Sequence, residues 1–389
     1  MDQNAGRPPR QYQWSIGLQR ELLRNLAVEA TYVGNRGVWW DAPGLIDVNA
    51  LTPDRLKLFG LDINNAADRT LLAAPVNSAT AAQRGFNKPP YSGFPVGSTV
   101  AQSLRPFPQF TSITYMWSPL GKTWYDSLQL KATQRFSRGL SYTGSFSWQK
   151  ELTLGAESNV IPGSLGNSVF NDVFNREQNK YISQYNRPFV FNLAANYEIP
   201  SLRTNRILSW TLREWTVGAF LQYGSGLPIL APLAQNQLNT LLLRNATTLS
   251  YANRVPGVPL FTQDLNCHCY DPNKQFVLNP AAWAQPTAGQ WGTSAGYYND
   301  YRFERRPLEN LSLGRTFHIR ERASLSLRME FTDAFNRTQI PNPTSTNSLA
   351  TQTRDANGKA IAGFGWINTT PASNPPVPRQ GSIIGRFQF

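Results

Sequence analysis

Residues 140–149 alternate almost without exception between apolar and polar side chains. Leu140, Tyr142, Gly144, Phe146 and Trp148 stand against Ser141, Thr143, Ser145, Ser147 and Gln149. A helix repeats its faces every 3.6 residues or so, whereas a strand turns successive side chains to opposite faces, so this spacing specifies a strand with one apolar and one polar side. The same period recurs elsewhere. Tyr12, Trp14, Ile16 and Leu18 share a face, as do Leu26, Val28, Ala30 and Tyr32, and Leu128, Leu130 and Ala132. Further along come Phe189, Phe191, Leu193, Ala195 and Tyr197, then Trp215, Val217, Ala219, Leu221 and Tyr223. Leu311, Leu313 and Phe317 follow, then Leu325, Leu327, Met329 and Phe331, and finally Ile383, Gly385, Phe387 and Phe389. The sequence therefore predicts nine strands in an all-β, antiparallel chain. Each is close to ten residues, and a tilted strand needs about 9–11 to cross a bilayer core. One weak helix signal, Thr52 as N-cap of residues 53–59, lies inside a connection.

The connections alternate in length. Short or moderate ones fall at 21–25, 137–139, 199–214 and 320–322, and long ones at about 35–124, 150–187, 225–307 and 336–380. Ordinary soluble domains rarely contain even one structureless loop beyond roughly 15 residues. Four, always on the same side of the hairpins, fit a transmembrane β-barrel with short periplasmic turns and long extracellular loops. Residues 1–389 are then one partial barrel domain. Composition agrees: aromatics at 12% and charged residues at only 16% argue against disorder. No apolar run approaches the roughly 18 residues of a membrane helix, and two cysteines cannot staple a disulfide scaffold. Trp14, Tyr32, Trp148, Tyr197, Trp215 and Tyr223 sit near strand ends on the apolar face, where an interfacial aromatic girdle belongs. The competing reading buries those rings in a secreted or surface β-sandwich that binds carbohydrate.

Several motifs carry a family resemblance. Residues 10–21 (Arg-Gln-Tyr-Gln-Trp-Ser-Ile-Gly-Leu-Gln-Arg-Glu) lead into residues 30–37 (Ala-Thr-Tyr-Val-Gly-Asn-Arg-Gly). Tyr125-Asp126-Ser127-Leu128 precedes Gln134-Arg135-Phe136-Ser137-Arg138-Gly139-Leu140, and Ser225-Gly226-Leu227-Pro228 follows a strand. With Asn279-Pro280-Ala281-Ala282-Trp283, Arg328-Met329-Glu330-Phe331 and Ala334-Phe335-Asn336, the set resembles the barrel of Oar-like TonB-dependent receptors from about residue 10 to Phe389. The ending Ile383, Phe387, Phe389 resembles the signal by which outer-membrane proteins are recognised for barrel assembly.

That resemblance implies the C-terminal part of a barrel of about 22 strands, placed in the bacterial outer membrane and taking up an unidentified small ligand. It implies as partners the outer-membrane lipid, the barrel-assembly machinery, and TonB through upstream segments. Plug, signal and TonB-contacting segments are not visible here, so a fragment of a longer protein is expected. No enzymatic role and no cofactor are implied. The long loops 35–124 and 225–307 become the expected ligand contacts, within which Tyr297, Tyr298, Tyr301, Arg302, Arg305 and Arg306 form an aromatic and basic cluster.

Chemistry-bearing constellations are few. Cys267-His268-Cys269 offers soft donors for zinc or copper, but a structural zinc site needs four ligands and the only other histidine, His318, lies by a turn on the opposite side. In an oxidising compartment a Cys267–Cys269 disulfide is the favoured expectation. Gly224-Ser225-Gly226 does not match a nucleophile elbow, and Glu304 and Glu309 lie among arginines suited to ion pairs. The net charge of +13 permits an anionic partner. Stacking of single-stranded nucleic acid on the tyrosine and arginine cluster is disfavoured against loop, lumen or lipid-phosphate contacts, because the basic residues are scattered.

Overall fold

The computed structural model describes residues 6–111, 113, 118–155, 170–200, 213–236, 238–243, 250–320, 323–370 and 378–389. One antiparallel sheet dominates them. Its main path runs β1 (Arg10–Leu23), β2 (Leu26–Asp41), β3 (Pro119–Ser137), β4 (Leu140–Leu154), β6 (Phe189–Glu198), β7 (Trp215–Gly224), β12 (Leu308–Arg320), β13 (Ala323–Thr332) and β16 (Gln380–Gln388). The short β5 (Lys180–Ile182) pairs with the far end of β4. Neighbours in the sheet are neighbours in the chain, so the sheet is a meander. Among the described residues it does not close: β1 and β16 each pair on one side only.

Register turns the sequence alternation into two continuous surfaces. Along one face, Ile16 lies opposite Tyr32, Tyr32 opposite Leu128, Leu128 opposite Trp148, and Trp148 opposite Phe189. Along the other, Gln19, Glu29, Lys131, Ser145, Asn192 and Gln222 are successive partners. The apolar face is bare: Ile16 is 71% exposed, Leu18 80% and Ile383 78%. The other sheets among the described residues are two-stranded, so the β-sandwich alternative finds no support. A surface this apolar and this extended is unfavourable against water and suits hydrocarbon.

The Arg138–Gly139 hairpin shows how local chemistry sets the register. Both residues have positive φ, 52° and 87°, the conformation of the two-residue turns whose twist matches paired strands. A side chain on Gly139 would meet the Glu198 carbonyl oxygen at 2.3 Å. Of the expected 320–322 turn, residues 321 and 322 lie outside the described residues, as do residues 201–212 of the 199–214 connection.

Several strands are longer than the ten or so residues expected. β2 has 16 residues, β3 19 and β4 15. The extra length is on the long-loop side, in stretches 35–41, 119–124 and 150–154 that the sequence reading assigned to loops. Alternation fails there while pairing continues: Val38, Trp39 and Trp40 run together, and the register shifts between Val38 and Trp40. Gly37, Gly121, Thr153 and Leu154 are buried there, so at this end protein covers part of the sheet and it no longer needs one apolar side.

The long connections are not structureless, which corrects the second expectation. The first holds α1 (Pro53–Leu58), α2 (Ala66–Ala73), α3 (Ala79–Gln83) and α4 (Val100–Ser103). Thr52, Asn65, Ser78 and Thr99 cap these helices, each side-chain oxygen accepting a hydrogen bond from a backbone N–H of the first turn. The third connection contains β8 (Pro228–Leu230), α5 (Leu238–Leu242), β9 (Asn253–Arg254), β10 (Trp283–Ala284) and β11 (Tyr297–Arg302), and the fourth contains β14 (Thr353–Arg354) and β15 (Ala360–Ala362). The hydrophobic cores of the molecule lie here, not under the sheet. One gathers Leu51, Leu56, Leu71, Leu72 and Val100 of the first connection with Leu238 and Leu242 of α5. Another gathers Ile229, Tyr251, Val277 and Trp283 with Ile340, Phe364 and Ile367 of the fourth connection. The four connections thus make a folded cap on one end of the sheet.

Candidate functional site

Side chains that reach across large sequence distances fix the cap. Arg105 is fully buried. Its Nη1 donates to Asn49 O at 2.8 Å and Leu242 O at 3.2 Å, and its Nη2 to Leu241 O and Leu243 O at 3.2 Å. It therefore satisfies carbonyls at the C-terminal end of α5 that no intrahelical N–H can reach, and places a cation at the negative pole of the helix. Asn49 donates to Phe107 O and Phe110 O, and Asn171 to Gly292 O and Ser294 O. Such amides do in irregular backbone what ladders do in strands: they pair buried polar groups that would otherwise be costly. Asp68 is held below the usual carboxylate range. Burial works against this, but the Asp62 N–H and the Arg84 guanidinium outweigh it.

Of the tyrosine and arginine cluster, the tyrosines do not form an open platform. Tyr301 is fully buried, its ring centroid 5.5 Å from Phe261 and 5.4 Å from Trp283. Tyr297 is buried beside Tyr181 at 5.9 Å, and Tyr298 lies 6.3 Å from Trp283 with Arg254 above it at 4.8 Å. All three lie on β11, which pairs with β8 inside the cap, so Tyr297 and Tyr301 are core rather than ligand-stacking residues. Arg302 is structural as well, donating to Asn186 O at 2.7 Å and Gly226 O at 3.0 Å. Burial lowers its pKa to about 10. Arg305 and Arg306, by contrast, are exposed.

Cys267 and Cys269 are joined by a disulfide, so neither sulfur is available to a metal as a thiolate. Between them His268 has φ 49°, and its Nε2 lies 2.8 Å from Glu304 Oε1. Glu304 also accepts from the Ile340 N–H at 3.3 Å. Burial pushes its pKa up, against the pull of His268, the Ile340 N–H and Arg306. Among the described residues no group of three or more His, Cys, Asp and Glu is arranged to hold a metal ion.

Where the apolar face meets the cap, aromatics and charges mix. Tyr32 Oη donates to Asp126 Oδ1 at 2.6 Å. Arg36 Nη2 donates to both Asp126 oxygens, at 3.1 and 2.9 Å, and the guanidinium sits 5.4 Å from the Trp14 ring. Trp148 is 58% exposed nearby in the row. At the turn end stand Tyr197 and Trp215, with Arg315 5.6 Å from the Trp215 ring. Tyr223 lies at the cap end, donating to Glu309 Oε1 at 2.6 Å. Sequence reasoning did not find Glu309 and Arg337 as partners, nor Trp124 with Lys180 over it at 4.2 Å, because the residues of each pair lie far apart in the sequence. Ile383 and Phe387 face outward on β16, opposite Met329 and Leu325, and Phe389 follows the strand almost wholly exposed.

Two clefts open at the rim of the cap. One of about 390 Å³ is lined by Phe146, Phe189, Phe191 and Tyr223 below and by His268, Glu304, Arg305, Arg306 and Arg337 above. A second, of about 550 Å³, lies between Phe261, Asp264, Asp300, Arg302 and Arg305.

Comparison with known proteins points to a membrane setting. The model of the family described as outer membrane beta barrel domain matches residues 1–381. No curated protein sequence matches the chain. Among solved structures, the complex of FpvAI with pyocin S2 superposes with a TM-score of 0.39 at 9% identity, over 98% of this chain and 28% of that one. The pyoverdine outer membrane receptor FpvA from Pseudomonas aeruginosa PAO1, bound to pyoverdine, gives 0.37 at 11%, over 98% and 30%. The outer membrane transporter YddB from Escherichia coli gives 0.37 at 11%, over 97% and 33%. The chain spans about a third of the length of these proteins.

Proposed function

The chain belongs to the outer membrane beta barrel domain family, and on that premise we propose that it supplies wall and outer cap of a TonB-dependent receptor of Oar-like type. Its setting is the bacterial outer membrane. In this reading the bare apolar face meets lipid, the polar face borders the lumen, and the cap stands outside the cell. Trp14, Tyr32, Trp148 and Tyr223 form the outer aromatic girdle, and Tyr197 and Trp215 the inner one. Ile383, Phe387 and Phe389 serve barrel assembly. The unpaired edges of β1 and β16 favour a part of a larger barrel, since an exposed edge invites association.

The observation that carries this reading is the pair of rows across the sheet, one apolar and bare, one polar, with every long connection on the same end. A ligand captured by the cap would pass inward with energy delivered through TonB. No covalent chemistry enters.

Fractionation of the host tests it. An antibody to residues 250–307 is expected to find the protein in the outer membrane, in a band whose mobility changes on boiling. A soluble, heat-insensitive band would overturn the membrane reading. Competition for uptake of candidate ligands in a strain lacking TonB, against its parent, would then separate transport from a purely structural barrel.

A further inference from the structure

The 390 Å³ cleft at the rim has two unlike halves. Phe146, Phe189, Phe191 and Tyr223 belong to the outward apolar face. Phe146 and Phe189 lie nearly parallel, centroids 6.2 Å apart, and Phe191 and Tyr223 are 6.4 Å apart. Phe189 remains 50% exposed. Above this floor the cap contributes Arg305, Arg306, Arg337, His268 and Glu304. Whatever occupies the cleft meets hydrocarbon-facing rings at one end and guanidinium groups at the other.

The charges do not cancel. Glu304 pairs with His268 and also lies in the field of Arg306, and Glu309 is gripped by Arg337, which leaves the guanidinium groups in excess over the carboxylates. Among the described residues Arg305 and Arg306 form no ion pair. Arg305 donates through its Nε and backbone N–H to Asn266 Oδ1 at 3.1 and 3.0 Å. Arg306 donates through Nη2 to Asn342 Oδ1 at 3.1 Å and Ile340 O at 3.4 Å. A guanidinium carries five N–H donors in a planar fork, so these neutral contacts orient both side chains and leave donors for an incoming anion. Arginine forks match phosphate oxygens in bidentate geometry.

We propose that this cleft seats a phosphate-bearing lipid of the surrounding leaflet, its acyl chain on Phe146, Phe189 and Phe191 and its phosphate between Arg305 and Arg306. The inference rests on the barrel reading, because the aromatic floor faces lipid only if the sheet spans a membrane. A zwitterionic headgroup brings its own cation to the arginines and gains less.

The test uses the full chain extracted from the outer membrane into nonionic detergent and titrated, with native mass spectrometry as readout. The probes are dipalmitoyl phosphatidic acid, phosphatidylcholine of the same chains, and inorganic phosphate. Phosphatidic acid is expected to bind about tenfold tighter than phosphatidylcholine, the worth of one charge-assisted hydrogen bond. Arg305→Gln with Arg306→Gln should abolish that preference, and inorganic phosphate should compete only weakly because it cannot use the floor. Equal binding of the two lipids, a preference that survives the double variant, or inorganic phosphate competing as well as the lipid would each overturn the proposal. Both arginines are exposed, and a heat-modifiable band checks that the variant is folded. Protein found in the soluble fraction would fail the barrel reading, whereas membrane-extracted protein without lipid preference fails only this site.

Discussion

Arg337 grips Glu309 at two points, Nε to Oε2 at 2.6 Å and Nη2 to Oε1 at 2.9 Å, where β12 leaves the cap. Glu309 is almost fully buried, while the Arg337 side chain is 53% exposed. Tyr223 adds a third bond to the carboxylate, and the Ala334 N–H donates to the Glu309 carbonyl at 2.8 Å. The pair therefore pins the fourth connection to the wall. Arg337→Ala leaves a buried carboxylate short of two donors and should cost about 1.5–3 kcal/mol, the range for hydrogen bonds to charged groups. Glu309→Gln should cost less, because an amide oxygen still accepts from Tyr223. The temperature at which the folded band disappears in semi-native gels measures both, and an unchanged temperature in Arg337→Ala would refute the assignment.

Arg105 joins the first and third connections through four carbonyls. Its replacement by Ala should destabilise the cap by about 3 kcal/mol, since buried acceptors lose their donor. The sheet should stay intact. Limited proteolysis is expected to cut within 66–104 and 238–243 in the variant, with the barrel strands still protected. Simultaneous loss of strand protection would mean that cap and wall fold as one unit.

The Glu304 carboxyl titrates above its ordinary 4.5 because burial disfavours the charge. A group whose folded pKa is raised contributes stability that is complete below the unfolded value and is lost as pH rises through the folded one. The groups facing it that favour the charge, His268, the Ile340 N–H and Arg306, moderate this effect but do not reverse it. Cap proteolysis should therefore speed up in the parent as pH rises above the ordinary carboxyl value of 4.5 and change less in Glu304→Gln. Identical profiles would show that the pair with His268 offsets the burial.

Leu130 and Gln129 are neighbours on opposite faces of β3. Leu130→Arg puts a charge toward the hydrocarbon and should cost about 2–4 kcal/mol near the bilayer midplane. Gln129→Arg turns the same charge to the lumen and should be nearly neutral. Yields of heat-modifiable protein rank the two, and the opposite order would invert the assignment of the faces.

Why the strands were readable and the cap was not follows from period. In 140–149 each residue states its own face, and pairing with β3 and β6 repeats the statement. Trp39 and Trp40 break that rule because the strand bulges there: Trp39 has φ 62° and the register shifts on either side of Trp40. Leu71, Val100 and Leu242 meet in one core without sharing any local period, and Arg105 finds its carbonyls 136–138 residues away. Local signals existed nonetheless. Asn65, Ser78 and Thr99 stand ahead of their helices as caps, yet only Thr52 was read as one, because the segments between them are too short for helical periodicity. Tyr301 looked like a stacking surface for the same reason: its partners Phe261 and Trp283 are distant in sequence.

β1 and β16 both descend from the cap end toward the hairpin end. Around a ring in which every neighbour runs the opposite way, directions must alternate like the squares of a chessboard folded into a tube. Two descending strands cannot touch in such a ring. Whatever completes a fully antiparallel wall must therefore insert an odd number of strands between them, and two copies of this sheet joined edge to edge would meet descending against descending, or with one copy upside down in the membrane. The direction of two edge strands thus decides which assemblies are admissible before any side chain is consulted.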